Sequence, residues 1–312
     1  DDFEEIDIQR NVRSQNIVLN GKIDVKLNDY SDLAVGGTFN RSAANSDIRS
    51  FQLYNYFNNP FSNSQDIRAY ARYTQRFRNA EVKEGEEDKS LVKNAFFSIQ
   101  ADFSRRTAST EDERHGDDFF RYGYIGRFEA VTEPSYEYTD NNRQGVLLDD
   151  GNYYFGEFLT AFNSPIAYNY TPGDVNPILS NYTSSFYQFR DQFPFFYTTR
   201  ENVEGFGGLV NGSSVSGNVY NLWSAPGQPY NAYSKNESDQ YRLSGRGSAD
   251  IGDHAITLGF EYEQRVQRNY SLNPLALWQL GRGSVNSHIT EIDSSNYQIS
   301  QVGSDPRITF ER

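Results

Sequence analysis

Residues 239–270, DQYRLSGRGSADIGDHAITLGFEYEQRVQRNY, constrain the fold most, because they are written in two alternating codes. In the first arm Tyr241, Leu243, Gly245, Gly247, Ala249 and Ile251 alternate with Arg242, Ser244, Arg246, Ser248 and Asp250. Gly252-Asp253 supplies a tight turn. In the second arm Ile256, Leu258, Phe260, Tyr262 and Val266 share one face, and Thr257, Gly259, Glu261, Glu263 and Arg265 share the other. A period of two sends successive side chains to opposite faces of a strand, so the stretch reads as a β-hairpin with one apolar and one polar face. Each arm runs about 10 residues, enough to cross a bilayer as a tilted strand. Tyr241 and Tyr262 stand on the first and last rungs, where the aromatic girdle of a membrane barrel would lie.

The same design recurs. Ile17, Leu19, Gly21, Ile23, Val25 and Leu27 oppose Asn20, Lys22, Asp24 and Lys26; after the turn cluster Asn28–Asp32, Leu33, Val35, Gly37 and Phe39 continue the apolar set. Ala69, Ala71, Tyr73 and Phe77 oppose Tyr70, Arg72, Thr74 and Arg76, and Ala95, Phe97, Ile99, Ala101 and Phe103 oppose Ser98, Gln100, Asp102 and Ser104. Strands are therefore expected over 16–27, 33–41, 69–78, 94–105, 240–251 and 254–268, with long external loops over 41–68, 105–238 and 271–312. Within the longest of these, Phe119–Val131 could form a further strand or extend one above the membrane. Compact connections (Asn28–Asp32, Asn79–Lys89, Gly252-Asp253) alternate strictly with long ones. An up-and-down barrel with short turns on one rim and long loops on the other predicts this alternation, and a Greek-key sandwich does not.

The polar faces carry Lys22, Asp24, Arg72, Arg76, Asp102, Arg242, Arg246, Asp250, Glu261, Glu263 and Arg265. These charges suit a water-filled or plugged lumen rather than lipid, where a midplane Arg costs about 2–4 kcal/mol. A half-exposed soluble sheet would give the same alternation; the loop pattern favours the membrane. The expected fold is all-β, an antiparallel transmembrane β-barrel wall. Its expected strands fall short of the roughly eight a barrel needs, so either the chain is a piece of a larger barrel, the reading taken here, or further strands are hidden in 105–238.

Composition narrows the alternatives. No run approaches the roughly 18 apolar residues of a membrane helix, and mean hydropathy is −0.75. With 23 Tyr and 23 Phe the chain is too aromatic for a solvated tail. A net charge of −13 argues against nucleic acid as a partner. The absence of cysteine removes disulfides, thiolate metal sites and Cys nucleophiles. The opening DDFEEIDIQR has no signal-peptide pattern, as expected of a mature or truncated product, and SDPRITFER lacks a terminal aromatic residue.

Several stretches resemble one family. Ser248–Arg282 with Val285–Asp293, and also Asp117–Tyr138, Asn176–Ser184, Val219–Ile251 and Asn20–Ser42, are similar to the Oar-like branch of TonB-dependent outer-membrane receptors of Bacteroidetes-type bacteria. The resemblance implies a barrel of about 22 strands, an N-terminal plug, energised import driven by TonB from the periplasm, and a location in the bacterial outer membrane. It implies outer-membrane lipid and TonB as partners, with a surface lipoprotein as a further one. Neither plug nor TonB box is legible before the first hairpin.

Catalytic signatures are lacking. Gly212-Ser213-Ser214-Val215-Ser216-Gly217 has the wrong spacing for a nucleophile elbow, and Gly281-Arg282-Gly283-Ser284 is not followed by Gly-Lys-Ser/Thr. His115, His254 and His288 are far apart, and His254 reads as a turn residue. Glu111-Asp112-Glu113 with Asp117-Asp118 offers oxygen ligands to Ca²⁺, but lacks EF-hand spacing and reads as a solvated loop. Asp149-Asp150-Gly151-Asn152 reads as a turn. No cofactor or metal is expected. Ligand-binding candidates are aromatic: Tyr153 and Tyr154 in one cluster, and Tyr220, Trp223, Tyr230 and Tyr233 around Pro226-Gly227. Exposed aromatics with Asn and Ser suit a peptide or glycan, and loop-to-loop packing is the other reading. Three functions follow: a nutrient-importing receptor barrel; a passive pore or structural surface component with the same wall; and a soluble all-β adhesin or glycan binder.

Overall fold

A computed structural model describes residues 5, 7–77, 91–140, 146–147, 151, 153–154, 157–192, 198–215, 217–286, 297–302 and 305–310. The strands before the first long helix are β1 (Ser14–Asn28), β2 (Ser31–Asn45), β3 (Pro60–Arg76), β4 (Val92–Asp112), β5 (Gly126–Asp140), β6 (Val146–Leu147), β7 (Tyr153–Tyr154) and β8 (Glu157–Pro172). Helices α1 (Pro177–Arg190) and α2 (Arg200–Gly205) follow, then β9 (Asn218–Val219), β10 (Trp223–Ser224), β11 (Tyr233–Ile251) and β12 (His254–Leu272). Helix α3 (Pro274–Asn286) and strands β13 (Tyr297–Val302) and β14 (Asp305–Phe310) complete the described elements. The chain is mostly antiparallel β-sheet with few helices; the pairing of β14 with β8 is parallel. It divides into a sheet unit (Asp1–Asp117 with Tyr230–Leu272) and an inserted unit (Asp118–Pro229 with Asn273–Arg312).

The sheet unit is a six-stranded antiparallel meander in the order β1-β2-β3-β4-β11-β12. Its register aligns residues of like polarity across all the strands. Ile23, Val35, Ala71, Ala101, Leu243 and Tyr262 form one row. The row below is Val25, Leu33, Tyr73, Ile99, Gly245 and Phe260, and the row above is Gly21, Gly37, Ala69, Phe103, Tyr241 and Gln264. Tyr262 thus lies in the middle of the apolar rows and not on a boundary rung. Aromatic contacts flank that middle: Phe97 with Tyr73 and Phe77 below, and Phe103 with Tyr241 at 5.3 Å above. Gly245 leaves the space that the Phe260 ring fills; a Cβ there would come within 2.3 Å of the ring.

Two described hairpin turns of the sheet unit are two residues long. Asp29-Tyr30 joins β1 to β2, with the Asn28 side chain accepting from the Tyr30 N–H at 2.8 Å. Gly252-Asp253 joins β11 to β12 with φ +59° at Gly252 only, the type II′ pattern whose twist suits a hairpin. His254 pairs with Ile251 to close that turn. The connection Asn79–Lys89 lies outside the described residues.

All six strands outrun their expected ends on the rim opposite the turns. Residues 42–45, 60–68, 106–112, 233–238 and 271–272, expected in loops, are strand. There Ser, Thr and Asn occupy both faces, so alternation vanishes while the backbone ladder continues; Ser62 and Thr110 hydroxyls meet across it at 3.0 Å. Between β2 and β3 the chain turns through two short 3₁₀ segments with Phe51 buried.

The expected loop 105–238 contains the inserted unit's β5–β8 hairpin and helices α1 and α2, and α3 follows β12. Proline begins both α1 and α3, where its missing N–H costs nothing. Helix α1 buries Leu179, Ser180, Thr183 and Tyr187, one helical stripe. Tyr187 packs with Val203 and Val210 against Phe128, Tyr168, Tyr170 and Phe186; Leu179 packs with Ile125 and Leu209. Aromatic pairs such as Phe128–Tyr170, 4.9 Å apart, add about 0.5–1.5 kcal/mol each beyond their burial. Polar side chains tie the loops together. Asn211 accepts from the N–H groups of Ile125 (2.7 Å) and Gly126 (3.3 Å) and donates to the Gly126 carbonyl (2.9 Å). Asn176 donates to the carbonyls of Arg121 and Tyr124. Gly212, at φ +80°, admits Trp278, which a Cβ there would meet at 2.2 Å.

Candidate functional site

The register that aligns the apolar rows also gathers the charges on the other face. Asp24, Ala34, Arg72, Gln100, Ser244 and Glu261 form one row, and Lys22, Gly36, Tyr70, Asp102, Arg242 and Glu263 the next. Arg246 and Arg76 lie on the same face toward the turns, and Arg265 toward the opposite rim. Asp250 follows a bulge in the β4 pairing and accepts from the Asn94 amide at 2.8 Å. All eleven charged residues expected on one face therefore share it.

Many of these charges are paired along and across strands: Lys22–Asp24 at 2.7 Å, Arg76–Asp32 at 2.5 Å, Arg242–Asp102 at 3.2 Å and Arg265–Glu263 at 3.2 Å. Each exposed pair contributes about 0–1 kcal/mol. Two concavities open on this face. One, of about 380 Å³, is lined by Thr38, Arg68, Tyr70, Asp102, Gln240 and Arg242 among others. The other, of about 720 Å³ and nearer the short turns, lies among Lys22, Arg72, Arg76, Ser98, Ser244 and Arg246. Arg68 was not expected as a site residue, because the strand was expected to begin at Ala69. Its spacing of four from Arg72 and eight from Arg76 was the available signal.

The aromatic candidates are divided between the two units. Tyr233 opens β11 rather than lying in a loop; it is buried and stacks on Tyr270 at 5.7 Å, so it offers no face to a ligand. Tyr230 is half-buried and belongs to the sheet unit. Tyr220 and Trp223 belong to the inserted unit, where Tyr220 is 78% exposed at φ +56° and Trp223 pairs with Val219. Tyr153 and Tyr154 form β7, paired with Leu147 and Val146; their side chains lie outside the described residues. Burial raises the pKa of Tyr168, Tyr170 and Tyr187, which keeps these hydroxyls neutral and unsuited to proton transfer near neutrality.

The acidic stretch at the end of β4 has protein partners. Glu113 pairs with Arg13 and accepts from Asn45 at 3.1 Å, and Asp112 accepts from the Arg114 N–H at 3.0 Å. Among the described residues no group of three or more His, Cys, Asp or Glu side chains is placed to hold a metal ion. His288 and all of Asp149–Asn152 except Gly151 lie outside the described residues. No described helix is long and apolar enough to cross a membrane, which says nothing of strands. No family model, no curated protein and no solved structure matches the chain.

Proposed function

We propose that this chain is a stretch of outer-membrane β-barrel wall from a TonB-dependent receptor that imports a nutrient, with a peptide or a glycan as the substrate class. The observation that carries the reading is the exposed apolar face of the six-stranded sheet. Leu258, Ile23 and Tyr262 are 74%, 67% and 62% exposed, while Asn55, Asn58 and Asp112 of the same unit are buried. Water does not tolerate such a face at this size, whereas lipid requires it.

The height of the band fits a bilayer. From Ile256 to Val266 the strand rise gives about 33 Å along β12, which is about 25 Å normal to the membrane at the usual barrel tilt of about 40°. Above it the outward row Ile17, Arg41, Gln65, Thr107, Glu237 and Arg268 turns polar. The concavities lie on the charged face, as expected of a lumen. Strands β1 and β12 each have one neighbour among the described residues, and further strands of the receptor would complete the wall. The resemblance of Ser248–Arg282 to the Oar-like receptors supports the same reading and brings TonB, plug and surface lipoprotein with it.

Fractionation of cells expressing the full-length protein tests this. Recovery in the outer membrane, with mobility on a gel that shifts on boiling, is expected. Recovery as a soluble species without detergent would replace the proposal with a soluble β-sheet binding module. An outer-membrane protein whose uptake activity persists without TonB would be a passive pore.

A further inference from the structure

We infer that the polar face near the short turns carries a binding site for a small oxyanion-bearing ligand of the phosphate or carboxylate class. The larger concavity is lined by five cations, Lys22, Lys26, Arg72, Arg76 and Arg246, against two carboxylates, Asp24 and Asp32. The carboxylates are already engaged, Asp24 by Lys22 and Asp32 by Arg76, and Lys26 reaches Asp29 at 2.7 Å. Arg72 and Arg246 are left with no hydrogen-bond or ion-pair partner among the described residues. This local excess of cations stands in a chain of net charge −13, so it is not a by-product of a basic composition.

The register places neutral donors between the two arginines. Arg72 lies opposite Gln100, which lies opposite Ser244; in the adjacent row Thr74 lies opposite Ser98, which lies opposite Arg246. Two guanidinium groups on a diagonal, with hydroxyls between them, match a ligand with several acceptor oxygens, because the planar fork of Arg binds carboxylate and phosphate oxygens in pairs. A volume of about 720 Å³ lies in the range of small-molecule sites, about 300–1,000 Å³. The site is a property of the polar face, so it does not depend on whether lipid or water meets the other one.

Calorimetric titration of the full chain, purified in detergent at low salt, tests the site with pyrophosphate, citrate and, as a neutral control, glucose. Saturable binding of pyrophosphate or citrate is expected, and the stronger of the two identifies the anion class. Arg72→Gln with Arg246→Gln should weaken it at least about tenfold, since each substitution removes charge-assisted hydrogen bonds to the anion. Arg41→Gln, which removes the same charge from the opposite face, should leave it unchanged. Retained boil-sensitive gel mobility of the double variant, or its unchanged circular dichroism if the chain proves soluble, separates loss of the site from loss of the fold. No saturable binding of either anion would overturn the inference, as would equal affinity in the double variant or equal losses in the double variant and Arg41→Gln. Binding of an acidic peptide with neither small anion bound would show instead that this face receives another polypeptide segment.

Discussion

The two units of this chain differ in where many of their large apolar side chains lie. The inserted unit buries Tyr122, Ile125, Val203 and Val210 to 1% exposure or less. The sheet unit leaves Ile23, Leu243, Leu258 and Phe260 in the open and buries Asn45, Asn55, Asn58 and Asp112 instead. Apolar surface favours leaving water. The inserted unit meets that rule with the inner core of a globular fold, whereas the sheet unit carries much of its apolar surface on one exposed face. On the proposed reading, lipid would meet that face.

Breaking that contrast on the sheet side gives the largest expected effect. Phe260→Arg places a cation in the apolar band at a cost of about 2–4 kcal/mol, and its level in outer-membrane fractions should collapse. Were water the medium, the same change at a 58% exposed position would be nearly silent. On the inserted side, Asn211→Ala strands two N–H groups and a carbonyl, at roughly 2–3 kcal/mol in total. Limited proteolysis should then open residues 118–229 while outer-membrane levels stay normal. Loss of both together would mean that the two units do not fold separately.

A smaller effect of opposite sign is expected at Tyr187. Its hydroxyl is buried without a hydrogen-bond partner among the described residues. Tyr187→Phe removes that unmet group and should stabilise the inserted unit by up to about 1 kcal/mol in thermal unfolding. Smallest of all is Glu261→Gln. Its contact with Arg242 is 3.9 Å long and open to solvent, so less than about 1 kcal/mol and an unchanged outer-membrane level are expected. A defect in Glu261→Gln as severe as in Phe260→Arg would reverse the assignment of faces.

The central parts of all six sheet strands were legible because one face carries apolar and the other charged residues, which writes a period of two into the sequence. Beyond Ile67, Arg105 and Asp239 both faces carry polar residues, so the period is lost although the hydrogen-bonded ladder runs on. Helix α1 was illegible for another reason. Its sequence PILSNYTSSFYQFR is rich in Ser, Thr, Tyr and Phe, which have modest helix propensity, and its buried stripe is stabilised by residues distant in sequence, such as Val203 and Tyr170. Of Tyr220, Trp223, Tyr230 and Tyr233, the first two belong to the inserted unit and the last two to the sheet unit, a division that nearness along the chain does not reveal.

Sequence alone determined which residues of the hairpin at 239–270 share a face, where it turns, and that the chain can offer one apolar and one charged surface. These are consequences of alternation and of turn chemistry, both local. Only the tertiary structure decided that β4 pairs with β11 across more than a hundred intervening residues, and so that Arg72 of one hairpin and Arg246 of another line the same concavity. Strand pairing is chosen by contacts between distant segments, and no local period encodes it.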